Sequence, residues 1–129
     1  MDKKICLDTD LCIKIMQGNN LVEGFFEVFG DFDVYISSVT LFELFLRETN
    51  LGQVQSFVEG FNVISFDQSC AVKASEIFKE LKKKGKLVDF RDIFIAASCI
   101  NNNCKLATLN LRHFENIKEL NLINPVKVD

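Results

Sequence analysis

Tryptophan is absent from this chain of 129 residues, and proline, histidine and tyrosine occur once each. A single proline leaves nearly every backbone N–H free to enter helices and sheets, which excludes a proline-rich linker or an extended recognition segment. One histidine, His113, and five cysteines without a CxxC pair provide neither zinc-ligand spacing nor a dithiol redox motif. The odd set of thiols, Cys6, Cys12, Cys70, Cys99 and Cys104, sits mostly among apolar neighbours and reads as reduced, buried cysteines of a cytoplasmic protein. No apolar run approaches membrane-spanning length, and the charged opening MDKK leads into a short strand-like run instead of a signal-peptide core. An excess of positive charge is also missing: the net charge is −3, so a nucleic-acid partner would need a local patch instead of the overall field.

What the chain does have is apolar bulk, with thirteen phenylalanines as the main core filler and enough length for one domain, residues 1–129, but not two. KICLD reads as a buried strand, and TDLCIKIMQGN as a helix that Gly18 can stop. LVEGFFEVFG has helical apolar spacing, and DVYIS is a β-branched, aromatic strand. SSVTLFELFLRETN and LGQVQSFVEGF continue as helices, NVISF as a third strand, and Asp67 can cap the amphipathic helix that Gly85 closes. A helix through Ile100, the strand CKLATLN, a helical turn LRHFENI and a terminal strand LNLINP complete the chain. Short apolar strands alternating with helices predict a three-layer α/β/α fold with a central parallel sheet of about five strands. In such sheets ligands bind beyond the carboxyl ends of the strands, where the strand order reverses.

Four polar residues fall at predicted strand ends: Asp8 after the first strand, Glu43 about one turn into the helix after the second, Asp92 opening the helix before the fourth, and Asn110 after the fourth. A parallel sheet would gather all four at one edge. Three carboxylates there would repel one another, and they are the hard oxygen donors that Mg2+ or Mn2+ prefers. Each residue also has a plainer reading. Asp8 or Asp10 can cap a helix, and Asp89 can be an N-cap with Asp92 as its dipole-favoured acid. Glu43 can pair with Arg47 one turn on, and Asn110 can be a turn former. The joint placement favours a site over any single residue.

LDTDLCIK at residues 7–14, SSVTLFELF at 37–45, RDIFIAAS at 91–98 and ATLNLRHFENI at 107–117 resemble, in order and spacing, the motifs of PIN-domain ribonucleases, especially small VapC-like toxins. The resemblance runs nearly end to end. It implies an acidic Mg2+ or Mn2+ site that cuts RNA, leaving 5′-phosphate and 3′-hydroxyl ends. It assigns the acids to Asp8, Glu43 and Asp92 as metal-binding and catalytic groups, the fourth catalytic position to Asn110, and a small hydroxyl residue to Thr108. Asp89 is carried as an additional or outer-shell acid. It also implies an antitoxin protein as partner and a homodimer as a further assembly, with part of the apolar set Phe25, Phe26, Phe29, Phe42, Phe45 and Leu46 as the docking groove; complete burial of that set within the domain is the plainer reading.

RNA approaching an acidic pocket needs a positive rim, for which Arg91, Arg112 with His113, and Lys84 in KELKKKGK are the candidates; the lysine run also reads as a solvated helix end favoured by the helix dipole. LDTDL after a strand resembles the DxD motif of phosphoaspartyl phosphatases, and size and acidity also fit a receiver domain. A haloacid-dehalogenase-like phosphatase would use Asp8 as nucleophile, but LC follows the DTD in place of the usual threonine and no downstream lysine motif is evident. A receiver-type phosphoacceptor should end a middle strand, where ISSVTLF offers none. A catalytically inactive RNA- or protein-binding module is the remaining reading.

Overall fold

The computed structural model describes residues 3–126; residues 1, 2 and 127–129 of the expected domain lie outside the described residues. Five strands, β1 (Lys4–Leu7), β2 (Asp33–Ser37), β3 (Asn62–Ile64), β4 (Lys105–Ala107) and β5 (Leu122–Ile123), form one sheet in the order β3-β2-β1-β4-β5, and all pairs are parallel. The helices α1 (Thr9–Met16), α2 (Phe25–Phe29), α3 (Ser38–Phe45), α4 (Leu51–Val58), α5 (Gln68–Lys83), α6 (Phe90–Asn101) and α7 (Leu111–Phe114) cover both faces. The fold is the expected three-layer α/β/α arrangement.

Strand alternation divides the core in two. Ile5, Leu7, Ile36 and Ala107 point to the face covered by α1–α4, where Leu11, Cys12, Phe25, Leu44 and Val54 meet them. Cys6 and Leu106 point the other way, against Ala74, Ile77 and Leu81 of α5, Ile93, Ala96 and Ala97 of α6, and Phe114 of α7. Because β1 is buried on both faces, its apolar run is continuous. All five cysteines are free and buried. No helix among the described residues is long and apolar enough to cross a membrane.

Several elements are shorter than the apolar spacing predicts. Residues 21–30 do not make one helix, because Gly24 adopts φ +81° and separates a 3-10 turn (Asn20–Val22) from α2. The helix expected through residue 50 ends at Phe45, and Asn50, at φ 58°, turns the chain into α4. β4 stops at Ala107 instead of continuing to residue 110, because Thr108 and Asn110 turn toward the site: Thr108 Oγ1 accepts the Asn110 N–H at 2.9 Å.

The register brings Leu7 level with both Ile36 and Ala107, so Asp8, Ser37 and Thr108 emerge side by side at the carboxyl edge. β1 and β4 are adjacent there although distant in sequence, and the chain order reverses between them. Phe114 is 1% exposed and anchors the four-residue α7 to the core. Replacing Phe114 by Ala is expected to cost about 3–5 kcal/mol in denaturant unfolding, with a fall in midpoint at unchanged slope.

Candidate active site

A cleft of about 220 Å3 opens at this reversal, lined by Asp8, Thr9, Asp10, Glu43, Asp89, Arg91, Asp92, Ile95, Asn110 and His113. Asp8 lies at its base, 4% exposed. It follows β1 directly and is the N-cap of α1: its Oδ1 accepts the Leu11 N–H at 2.9 Å, while Oδ2 accepts the Thr108 hydroxyl. The capping reading of Asp8 therefore holds together with its position in the cleft. Burial pushes its carboxyl up to about 6, and the charges of Asp10 and Asp92 push the same way against the two hydrogen bonds.

Glu43 projects from the middle of α3 with its side chain 17% exposed. Its Oε1 accepts the Thr9 hydroxyl at 2.8 Å, and its Oε2 lies 3.3 Å from Arg91 Nη1. The expected candidate partner Arg47 is replaced by a residue 48 positions away. Arg91 also holds Asp89 through Nε at 3.2 Å, and Asp89 caps α6 by accepting the Arg91 N–H at 2.8 Å. These bonds hold the Asp89 carboxyl below its ordinary range and raise the guanidinium further.

Asp92, in the first turn of α6, is half-buried, and its Oδ2 lies 3.4 Å from His113 Nδ1. Burial raises its carboxyl; His113 opposes that, while Asp89 and Glu43 add to it. Asn110 donates from Nδ2 to Asp10 Oδ2 at 2.7 Å. Arg112 is exposed on α7 and is not among the lining residues, and Lys84 caps the end of α5, paired with Glu80 at 3.3 Å. Thr9, Asp10 and the Asp92–His113 pair were not legible as site features. Thr9 carries no spacing signal toward α3, and Asp10 reads locally as a cap.

The donor set is hard oxygen throughout, from Asp8, Glu43, Asp92, Asp10 and the Asn110 amide, which fits a hard divalent cation such as Mg2+ or Mn2+ in chemistry. Among the described residues no three acidic, histidine or cysteine side chains are gathered as a ligand cluster, since Glu43 is drawn to Arg91 and Asp92 to His113. The rise of Asp8 comes first from its burial, with the charges of Asp10 and Asp92 adding to it.

Residues 5–120 match the family model described as PIN domain. Among curated proteins the chain is 32% identical to Ribonuclease VapC1 of Methanocaldococcus jannaschii over 122 residues, 94% of this chain and 86% of that protein. It is 33% identical to the tRNA(fMet)-specific endonuclease VapC of Salmonella typhimurium over 123 residues, 88% of this chain and 92% of the relative. Among solved structures, DNA-bound VapBC from Salmonella typhimurium superposes with a TM-score of 0.86 at 29% identity, covering 97% of this chain and 99% of that one.

The raised Asp8 carboxyl fixes a sign. The folded protein holds this proton up to about pH 6, whereas the unfolded chain releases it near 3.8. Stability from this group is therefore full below about pH 4 and is lost as pH rises through 6, by about 3 kcal/mol. In chelator, urea unfolding of Asp8→Asn against the parent is expected to show the smallest difference at pH 4 and the largest gain for the variant at pH 7. A difference that does not change with pH contradicts the burial of a charged Asp8. Motif order, sheet topology and end-to-end similarity agree: the chain belongs to the PIN-domain family, and within it to the VapC-like proteins.

Proposed function

We propose that this protein is a metal-dependent endoribonuclease and the toxin of a toxin–antitoxin pair. The observation that carries the reading is the shared cleft of Asp8, Glu43 and Asp92, three carboxylates from separate elements beyond the carboxyl ends of a parallel sheet. In that role Asp8 and Asp92 hold the Mg2+ or Mn2+, and Glu43 completes its oxygen shell or orients the attacking water. A divalent ion held by these residues would supply a water of lowered pKa and a counter-charge for the phosphoryl group. Thr108 keeps the Asp8 carboxylate oriented, Asn110 holds Asp10, and Arg91 binds a backbone phosphate. Arg112 and Lys84 lie outside the cleft lining and serve, if RNA reaches them, as distant electrostatic contacts. The ends expected are 5′-phosphate and 3′-hydroxyl.

The rival phosphoacceptor readings of Asp8 find less support. A receiver-type sheet runs 2-1-3-4-5, whereas this one runs 3-2-1-4-5.

An antitoxin is the proposed protein partner, supported by relatives solved as VapBC complexes. The outer side of α3 suits it: Phe42 is 60% exposed and Leu46 58%, and both flank Glu43 in sequence. Phe25 and Phe29 belong to the interior instead, with ring centroids 4.9 Å apart and Phe29 edge-on to Phe32.

Incubating the purified, partner-free protein with an RNA pool and Mn2+ is expected to give cleavage that chelator abolishes. Asp8→Asn and Asp92→Asn are each expected to lower kcat/KM at least ~100-fold. Added Mn2+ should raise the melting temperature of the parent but not of Asp8→Asn. Cleavage that persists in chelator, or that survives both substitutions, rules the reading out. Separately, Phe42→Glu is expected to leave the melting temperature nearly unchanged while weakening co-purification with the antitoxin.

A further inference from the structure

Three hydroxyls that the proposed reaction does not use lie in a row beneath Glu43. Thr9 Oγ1 is 2.8 Å from Glu43 Oε1 and 3.1 Å from Thr40 Oγ1. Thr40 Oγ1 is 3.4 Å from Ser37 Oγ, which accepts the Thr40 N–H at 3.0 Å as the N-cap of α3. Ser37 and Thr40 are fully buried.

Each hydroxyl has a single proton to give, and an ionised carboxylate only accepts. The Thr9 proton must therefore go to Glu43. The contact between Thr9 and Thr40 then needs the Thr40 proton, and the contact between Thr40 and Ser37 needs the Ser37 proton. One direction satisfies every contact: Ser37 donates to Thr40, Thr40 to Thr9, and Thr9 to Glu43. No buried polar side-chain atom among the described residues is left unpaired by the structure's hydrogen bonds. Away from water, hydroxyl dipoles aligned head to tail strengthen the bond at the charged end.

We infer that Thr9, backed by Thr40, is a positioning residue that fixes the Glu43 carboxylate in the cleft. The inference rests on the ribonuclease reading above. Capping of α3 accounts for Ser37, and close packing accounts for the burial of Thr40. Neither requires a hydroxyl on α1 to reach a carboxylate on α3. With Oε1 held by Thr9, the rotamer of Glu43 is constrained at one oxygen, while Oε2 lies 3.3 Å from Arg91 Nη1. A long, flexible glutamate is thereby held with less loss of freedom at the moment it is needed.

The test compares Thr9→Val, which keeps shape and removes the donor, with Thr9→Ser, which keeps the donor and removes a methyl, and adds Thr40→Val. Four quantities are read: kcat and KM on an RNA oligonucleotide the parent cleaves, the Mn2+ concentration at half-maximal rise of melting temperature, and the melting temperature in chelator. Thr9→Val is expected to lower kcat roughly 10- to 100-fold and to weaken the Mn2+ midpoint by a comparable factor. KM should stay within about twofold, since the interaction is made with the reacting centre and not with bound RNA. Thr9→Ser is expected to recover most of kcat, and Thr40→Val to show a smaller loss in the same direction. Retention of both kcat and the Mn2+ midpoint in Thr9→Val overturns the inference. So does equal damage in Thr9→Ser, which would assign the effect to packing. A parent protein that neither cleaves RNA nor responds to Mn2+ instead overturns the ribonuclease reading, and is recognised before any variant is compared.

Discussion

Carboxylates placed within one small cleft repel one another, and the surroundings of this site are organised around that repulsion. Asp8, Asp10, Glu43, Asp89 and Asp92 face one guanidinium and one imidazole, so negative charge stays in excess even when Arg91 and His113 are fully engaged. Burial raises Asp8 and Asp92 and the neighbouring acids add to that rise, while Asp89, which accepts from the Arg91 side chain and N–H, is lowered. Here Asp8 is held at the base by two hydrogen bonds, and its burial, the largest cause of its shift, is what makes a divalent ion a natural counter-charge.

The topology delivers this crowding from residues that are far apart in the chain. β1 sits at the centre of the sheet with β2 on one side and β4 on the other, so the residues leaving these strands emerge together. The Asp8 N–H donates to Ala107 and the Thr108 N–H to Ile123, which locks the carboxyl edge of β1, β4 and β5 in register. Across 100 positions of sequence, the Thr108 hydroxyl then reaches Asp8 and the Asn110 amide reaches Asp10. A slip of one residue in β4 would send Thr108 to the opposite face of the sheet and leave Asp8 buried with one bond fewer.

Alternating short apolar strands and helices were enough to read the parallel, doubly covered sheet, because continuous burial of β1 and helical spacing in α5 and α6 leave few other solutions. The positions of Asp8, Glu43, Asp92 and Asn110 relative to strand ends were legible for the same reason. Partners were not. Nothing local marks Arg91 as the counter-ion of Glu43 instead of Arg47, since i,i+4 spacing favours Arg47 on any isolated helix. The direction of the Glu43 side chain depends on how α3 packs against α1, a tertiary fact with no periodic signature. Which members of the apolar set are exposed was not legible for a similar cause: Phe25, Phe26 and Phe29 have the same helical spacing whether a neighbouring helix or solvent lies beside them. Only Phe26 stays largely exposed, and even its ring stacks on Phe61.

On the ribonuclease reading, the placement of positive charge carries its own logic. Lys84 at the end of α5 is paired with Glu80, which also lies 3.9 Å from Lys118, and it is not among the cleft-lining residues. Arg91 is different: its side chain is 55% exposed and its bonds to Glu43 and Asp89 are 3.3 and 3.2 Å, an exposed arrangement of the kind worth only about 1 kcal/mol or less. Such a cation can exchange one carboxylate oxygen for a phosphate oxygen at small cost, because the guanidinium fork accepts either. If it leaves Glu43, the carboxylate loses its cationic partner while Thr9 still holds the other oxygen. The arrival of a negatively charged backbone therefore increases the negative charge left uncompensated beside Asp8 and Asp92, which favours cation uptake at the same moment. On that reading, attraction of the polyanion and loading of the acidic centre would both draw on Arg91.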